Sequence, residues 1–230
     1  MLTNGQALII DMAVRALDHP LARRYREALV LGALREDSGF VPGTRVVYES
    51  LSLTHFYRPG MPGGLVPFVT PGPRRRADRF VARALAAYGR GRAAAAFVEL
   101  GRALHLLADM ACPVHAQRVV HFVADPYEWY VESHTPELRD LPVASVGDAE
   151  RASTLVESLC RFTQSFPADR THSPWGHLMW RLGRHRKTDG VTLAAQARAL
   201  IPQAAGHAAA LLRLFLREAA TAEGLRACAA

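Results

Sequence analysis

The chain has 230 residues, half of them hydrophobic and 21% charged, with a formal net charge of +7 and a sequence pI near 9.9. This composition predicts a mainly helical, soluble protein, and because no linker-like stretch interrupts it we treat residues 1–230 as a single domain. Three cysteines without a spacing pattern exclude a disulfide framework. The basic charge fits a phosphate-bearing partner, and a general preference for arginine explains it equally well.

Apolar spacing predicts the helices, which we take in chain order. They cover residues 4–17, 20–37, 74 onward, 91–111, a segment ending near 134, 149–164, 174–184 and 192–220. We expect Asp148 to cap the helix at 149 and Pro202 to interrupt the last helix. Residues 39–73 are rich in Gly and Pro, with a short β-like run at 45–48. A loop of that length inside a domain is usually functional.

The N-terminal stretch MLTNGQALIIDMAVRAL bears on location. Asp11 and Arg15 interrupt its apolar residues and no basic region precedes them, so we expect neither a signal peptide nor a membrane span there. No other stretch predicts a transmembrane segment. We therefore expect a cytoplasmic protein as written, or a secreted one if the true start lies upstream.

The densest cluster of metal-binding residue types lies at residues 105–128, HLLADMACPVHAQRVVHFVADPYE. Its possible zinc ligands are His105, Asp109, His115, His121, Asp125 and Glu128. His105 and Asp109 are four residues apart, which places them on one helix face. Pro113 bends or ends that helix, so His115 can return toward the same place. We interpret Asp125 as a helix cap and Cys112 as a small buried hydrophobic residue.

Five motifs follow one another along the chain: GALRED, THFYRP, LHLLAD, PVHAQ and DPYEWYV. Any one of them alone is a weak signal. Their order and approximate spacing resemble the zinc-dependent phospholipase C/P1 nuclease superfamily over about residues 4–135. The C-terminal AAGHAAALLRLFL is similar to the closing helix of that family.

The resemblance implies an all-α fold, a compact multi-helix domain with zinc ions at the bottom of a cleft, and hydrolysis of phosphodiester bonds. Carried over motif by motif, the ligands of the first zinc are Asp37, His55, His105 and Asp109. Those of the other outer zinc are His115, His121 and Glu128, with His134 as a rival to His121. The resemblance also gives Asp37 the catalytic role of taking a proton from the attacking water.

A third zinc in that family uses a histidine near the N-terminus, the terminal amino group and the aspartate that matches Asp109. Gln6 stands where this histidine is expected, and a neutral amide oxygen is a poor zinc ligand. The sequence therefore predicts two zinc ions and leaves the third open.

The motifs are compatible with three functions. The first is a phospholipase C-like zinc phosphodiesterase that uses a metal-activated water. The second is a single-strand nuclease of the same fold, and the third is a zinc-binding protein that has lost catalysis. The expected partner is a phosphate ester, either a phospholipid head group with peripheral membrane contact or a nucleic acid.

Overall fold

The computed structural model describes residues 1–37, 54–121, 124–184 and 186–229, with the side chains of Asp37 and residues 222–229 excepted. All regular secondary structure within these ranges is helical. The helices are α1 (Thr3–Leu17), α2 (Pro20–Arg24), α3 (Arg26–Asp37), α4 (Pro73–Tyr88), α5 (Ala93–Asp109), α6 (Pro113–Ala116), α7 (Pro126–Ser133), α8 (Thr135–Leu138), α9 (Ala152–Thr163), α10 (Pro174–Arg181) and α11 (Gly190–Ala229). The β-like run expected at 45–48 lies outside the described residues.

Helix α5 lies at the centre of the core and packs against α3 and α4. Its backbone meets that of α3 directly, because a Cβ added at Gly101 would lie 2.1 Å from the Leu29 carbonyl oxygen, and one at Gly32 would lie 2.0 Å from that of Val98. Only glycine permits so close a crossing. The close contact fixes the helix on which His105 and Asp109 are mounted.

Helix α11 contributes the second large part of the core and packs against α1, α9 and α7. By length and composition alone, its residues Gly190–Thr221 could cross a membrane, but 72% of the apolar window is buried inside this fold, as in a core helix. The expected interruption at Pro202 is wrong, since the helix continues through it. Leu200 and Ile201 before it and Ala204 after it are fully buried, and this packing outweighs the lost hydrogen bond.

Two other predictions about helix ends are also wrong. The helix expected over 20–37 divides at Tyr25, whose ring stacks on Phe97 of α5 at 4.7 Å. Asp148 does not cap α9, which begins at Ala152; its carboxylate accepts a hydrogen bond from Arg213 of α11 instead.

Candidate metal centre

The end of α5 presents two side chains to the interior. His105 and Asp109 lie one helical turn apart and are fully buried, with His105 Nε2 3.1 Å from Asp109 Oδ2. After Asp109 the chain makes one turn, and Pro113 begins α6 at the first helical position, where a missing N–H costs least. As expected, α5 has ended before Pro113.

His55 reaches the same carboxylate from the segment before α4. Its Nδ1 lies 2.9 Å from Asp109 Oδ2 and 3.3 Å from His105 Nε2. The segment is held against α6, because the Tyr57 N–H donates to the His115 carbonyl oxygen at 3.1 Å and Phe56 stacks on the His115 ring. We name His55, His105 and Asp109 the first ligand group, since their ligand atoms all lie within 4.8 Å of one another.

A second set of buried ligand atoms lies next to Asp109, where His115 Nδ1 is 3.9 Å from Asp109 Oδ2. Cys112, His115 and Glu128 offer atoms that also lie within 4.8 Å of one another, and we name them the second ligand group. Asp125 caps α7, as predicted: its Oδ1 accepts from the Glu128 N–H at 2.8 Å, while a Glu128 carboxylate oxygen accepts from the Asp125 N–H. This reciprocal cap fixes the Glu128 carboxylate 3.5 Å from His115 Nε2.

The two rival histidines lie in different surroundings. His121 Nε2 is 3.2 Å from His115 Nε2, and His121 Nδ1 is 3.9 Å from Glu128. His134 instead stacks on Tyr130, with its Nδ1 2.8 Å from the Tyr130 carbonyl oxygen. The structure thus brings His121 to the second ligand group and leaves His134 at the end of α7. The ligand role of His121 stays a prediction.

The amino group of Met1 lies beside the two ligand groups, and the family resemblance had implied a terminal amino group next to the aspartate that matches Asp109. Its nitrogen is 2.8 Å from Asp109 Oδ1 and 2.7 Å from Glu128 Oε1, and all three groups are buried. Gln6, on the first turn of α1, is 1% exposed, and neither of its amide atoms has a hydrogen-bond partner within the described residues. A buried amide without partners costs free energy, so the surroundings of Gln6 favour a further ligand or water.

The carboxylates at the centre are negatively charged, and the neighbouring imidazole rings interact with that charge. Burial raises the pKa of the Asp109 carboxyl, but His105, the Met1 ammonium and His115 outweigh it and hold that pKa well below its usual range. For Glu128, burial is likewise outweighed by the Met1 ammonium and His115, so its pKa is lowered. Both carboxylates are therefore ionised at neutral pH and suited to hold a cation.

The donor set fits zinc. The Nε2 atoms of His115 and His121 lie 3.2 Å apart. His55 Nδ1 and His105 Nε2 both lie within 3.1 Å of Asp109 Oδ2, so ring nitrogens and carboxylate oxygens converge. Histidine nitrogen, carboxylate oxygen and cysteine sulfur are the ligand types that zinc takes in proteins.

Three further residues, Asp37, Cys112 and Met1, belong to the predicted or the observed site. Asp37 ends α3, but its side chain lies outside the described residues, so its role as ligand and catalytic base stays a prediction. Cys112 is buried as expected, yet it belongs to a ligand group, which its interpretation as a simple hydrophobic residue missed. The Met1 amino group lies beside Asp109, as the family resemblance implied. A signal for Cys112 was available, since it lies three residues from both Asp109 and His115.

A groove of about 680 Å³ adjoins the segments that carry these ligands. One wall is Gln117–Val120, between His115 and His121, and another includes Arg58, close behind His55. Trp175 of α10 completes the groove wall and is 68% exposed. The groove offers arginine and an exposed indole beside the ligand groups.

Comparison with known proteins gives structural matches only. No family model matches the sequence, and no curated protein matches it. Among solved structures, the alpha-toxin of an avian strain of Clostridium perfringens matches with a TM-score of 0.68 and 15% sequence identity, over 94% of this chain and 63% of that one. The alpha toxin of Clostridium absonum matches with a TM-score of 0.67 and 17% identity, over 95% of this chain and 66% of that one.

This chain therefore spans slightly less than two thirds of each toxin. At these identities the matches show the fold alone. The chain has the all-helical fold of the two alpha toxins, which confirms the all-α fold that the family resemblance implied.

Proposed function

We propose that this chain is a zinc-dependent phosphodiester hydrolase that acts on phospholipid head groups. One observation carries the proposal: at the buried Asp109 carboxylate, Oδ2 lies within 3.1 Å of His55 and His105 and 3.9 Å from His115 of the second ligand group, while Oδ1 is 2.8 Å from the Met1 amino group. Buried charged and polar side chains are costly, and their convergence at the end of one helix indicates a cation site rather than a structural network.

Zinc bound by these groups would lower the pKa of a water to about 7 and neutralise charge on the phosphate oxygens. The chain's own residues supply the rest. Asp109 offers one carboxylate oxygen to the first ligand group and the other to the Met1 amino group. Asp37, at the end of α3, is proposed to accept the proton of the attacking water.

Two metal ions suit this chain better than three. Gln6 brings a neutral amide where the family resemblance implies histidine, and a neutral amide oxygen is a poor zinc ligand.

The surface beside the centre supports a lipid substrate. The segment 58–70 and the segment of α10 expose apolar side chains, and we name these two exposed stretches together the rim. Its apolar members are Met61, Val66, Phe68, Val69, Trp175, Leu178 and Leu182, and its exposed arginines are Arg58, Arg170 and Arg181. Phe68 is 88% exposed and Val69 77%, and such exposure of neighbouring apolar side chains is unusual on a protein that meets only water.

The rim is also uniformly basic. Residues 54–77 and 170–188 contain arginine and lysine and no aspartate or glutamate. On α10, Trp175, Leu178 and Leu182 follow helical spacing and point outward, reversing the usual orientation of an amphipathic helix. Exposed apolar side chains, an indole and flanking cations are the features that bind an anionic bilayer surface.

A second candidate, a single-strand nuclease, has one observation in its favour. Trp175 shares the groove with Arg58, Arg118 and Arg170, and an exposed indole among guanidinium groups can stack a nucleobase while the arginines bind phosphate.

The test measures hydrolysis by zinc-loaded protein of three substrates: phosphatidylcholine in vesicles containing anionic lipid, a single-stranded oligonucleotide and a small soluble phosphodiester. We expect hydrolysis of the vesicles and the small ester that a chelator abolishes and zinc restores. Phe68→Ser should slow hydrolysis of the vesicles far more than that of the small ester. Leu31→Ser, at an exposed leucine of α3 outside the rim, is the matched control and should change neither.

Faster cleavage of the oligonucleotide than of the vesicles would favour the nuclease. If zinc binds and none of the three substrates is cleaved, the chain is a zinc-binding protein that has lost catalysis. Gln6→His would then show whether a third zinc restores the activity.

A further inference from the structure

Cys112 is a fully buried member of the hydrophobic core whose sulfur also meets a carboxylate. The residue precedes Pro113 and is the N-cap of α6, but its side chain makes no capping hydrogen bond. Its Sγ lies 3.5 Å from Asp125 Oδ2 instead. A thiol that serves only to fill the core would have no need of this neighbour.

The surrounding residues hold this sulfur toward the second ligand group. The Cys112 N–H donates to the Asp109 carbonyl oxygen at 3.0 Å, and the Ala116 N–H donates to the Cys112 carbonyl oxygen at 3.1 Å. These bonds fix the backbone between the two helices. The sulfur, a His115 ring nitrogen and a Glu128 carboxylate oxygen then lie within 4.8 Å of one another, close enough to share one ion.

We propose that Cys112 is a thiolate ligand of the metal ion held by His115 and Glu128, so that the second site is a sulfur-containing zinc site. The proposal rests on metal binding at the proposed active centre and adds a ligand that the family motifs do not include. One thiolate and one carboxylate with a neutral imidazole balance the charge of Zn²⁺, and sulfur makes this site softer than the first ligand group, whose donors are nitrogen and oxygen.

Binding of the Cys112 sulfur to the metal releases the proton of its thiol. As the metal–sulfur bond forms, the S–H bond breaks, and the proton passes to Asp125 Oδ2, the atom that already faces the thiol. The other oxygen of Asp125 stays bonded to the Glu128 N–H, so the cap of α7 persists.

Cobalt substitution gives a readout that does not depend on catalysis. Protein stripped of metal and reloaded with Co²⁺ should show a near-ultraviolet thiolate-to-cobalt charge-transfer band that saturates at one ion per chain. Cys112→Ser should remove the band and weaken zinc binding at one site by about tenfold or more. Cys160→Ser is the matched control: Cys160 is equally buried, but its sulfur faces the carbonyl oxygens of Tyr57 and Ala116, so the band should remain.

A wild-type protein that binds cobalt without this band overturns the proposal, as does a band that survives in Cys112→Ser. If that variant fails to fold, X-ray absorption at the zinc edge of the wild type decides the question. A sulfur neighbour at about 2.3 Å supports the proposal, and a shell of nitrogen and oxygen alone contradicts it. The band can appear without any hydrolysis, and hydrolysis can occur without the band, so failure here and failure of the proposed function are distinguishable.

Discussion

The two ligand groups and the rim lie on neighbouring stretches of the chain but have opposite properties. The ligand groups are buried and polar, whereas the rim is exposed and apolar. His55 and Asp109 are at most 2% exposed, whereas Phe68, thirteen residues after His55 along the sequence, is 88% exposed. The interior therefore holds charged and polar groups, and the surface holds unpaired apolar ones. Both arrangements cost stability, and each becomes favourable when a ligand arrives, a cation inside and an apolar surface outside. The centre therefore depends on rigid packing, while the rim can change without disturbing the centre.

The largest effect is expected from Asp109→Ala. The change removes a carboxylate that lies 2.8 Å from the buried Met1 ammonium and that contacts both ligand groups. Metal-free protein should lose about 3–5 kcal/mol of unfolding free energy, the usual result of breaking a buried ion pair. Urea unfolding measures the loss. Asp140→Ala, at a carboxylate that is 86% exposed, is the control and should change stability by less than about 0.5 kcal/mol.

Gly101→Ala tests whether packing supports the centre. A Cβ there would lie 2.1 Å from the Leu29 carbonyl oxygen, so α3 and α5 must separate, at a cost of about 1–3 kcal/mol. Because α5 carries His105 and Asp109, zinc affinity should fall together with stability. Gly147→Ala, which meets no atom within 4 Å, serves as control. Unchanged zinc affinity in Gly101→Ala would separate the centre from the packing of α5.

Gly176→Ala is the matching change at the rim. Its Cβ would lie 1.7 Å from the Arg170 carbonyl oxygen, which forces the start of α10 to move. Binding to anionic vesicles, measured by sedimentation, should fall severalfold. Zinc content should stay near wild type, while the unfolding free energy should fall by about 1–3 kcal/mol, as for overpacking at other buried positions. Loss of zinc in this variant would show that rim and centre are coupled.

The smallest effect concerns Asp169, which closes the segment around α10. Its carboxylate accepts hydrogen bonds from the N–H and hydroxyl of Thr171 and from the Thr188 N–H. Burial raises the pKa of Asp169, but these bonds outweigh it and lower the pKa below the usual value. A lowered folded-state pKa stabilises the fold above the unfolded pKa of about 3.9, and that contribution disappears as pH falls through the folded value.

Asp169→Asn should therefore cost about 1 kcal/mol at pH 7 and less as the pH falls below about 4. Thermal unfolding of variant and wild type between pH 3 and 7 measures this difference. A difference that stays constant over that range would show that the ionised carboxylate does not contribute.

Much of the fold could be predicted from the sequence because helical spacing and Pro113 act locally. The end of α5 before Pro113 and the cap of α7 by Asp125 follow from residues within one turn. The break at Tyr25 and the continuity of α11 through Pro202 depend on partners far along the chain, which no local pattern reveals. Tertiary packing decided both.

The site divides in the same way. His105, Asp109 and His115 were indicated by spacing, and the structure brings them together with His55 from fifty residues away. The spacing of Cys112, three residues from both Asp109 and His115, was a signal for its place among the ligand atoms, which the interpretation as a small buried hydrophobic residue did not use. Only the reciprocal cap that turns Glu128 toward His115 makes the sulfur part of a cluster.

The most direct test of the central claim is the metal content of protein purified without chelator, by elemental analysis. The two ligand groups predict two zinc ions per chain, falling to one or none in Asp109→Ala, with Asp140→Ala unchanged. A wild-type chain that carries no zinc, and takes up none when zinc is supplied, would contradict the account.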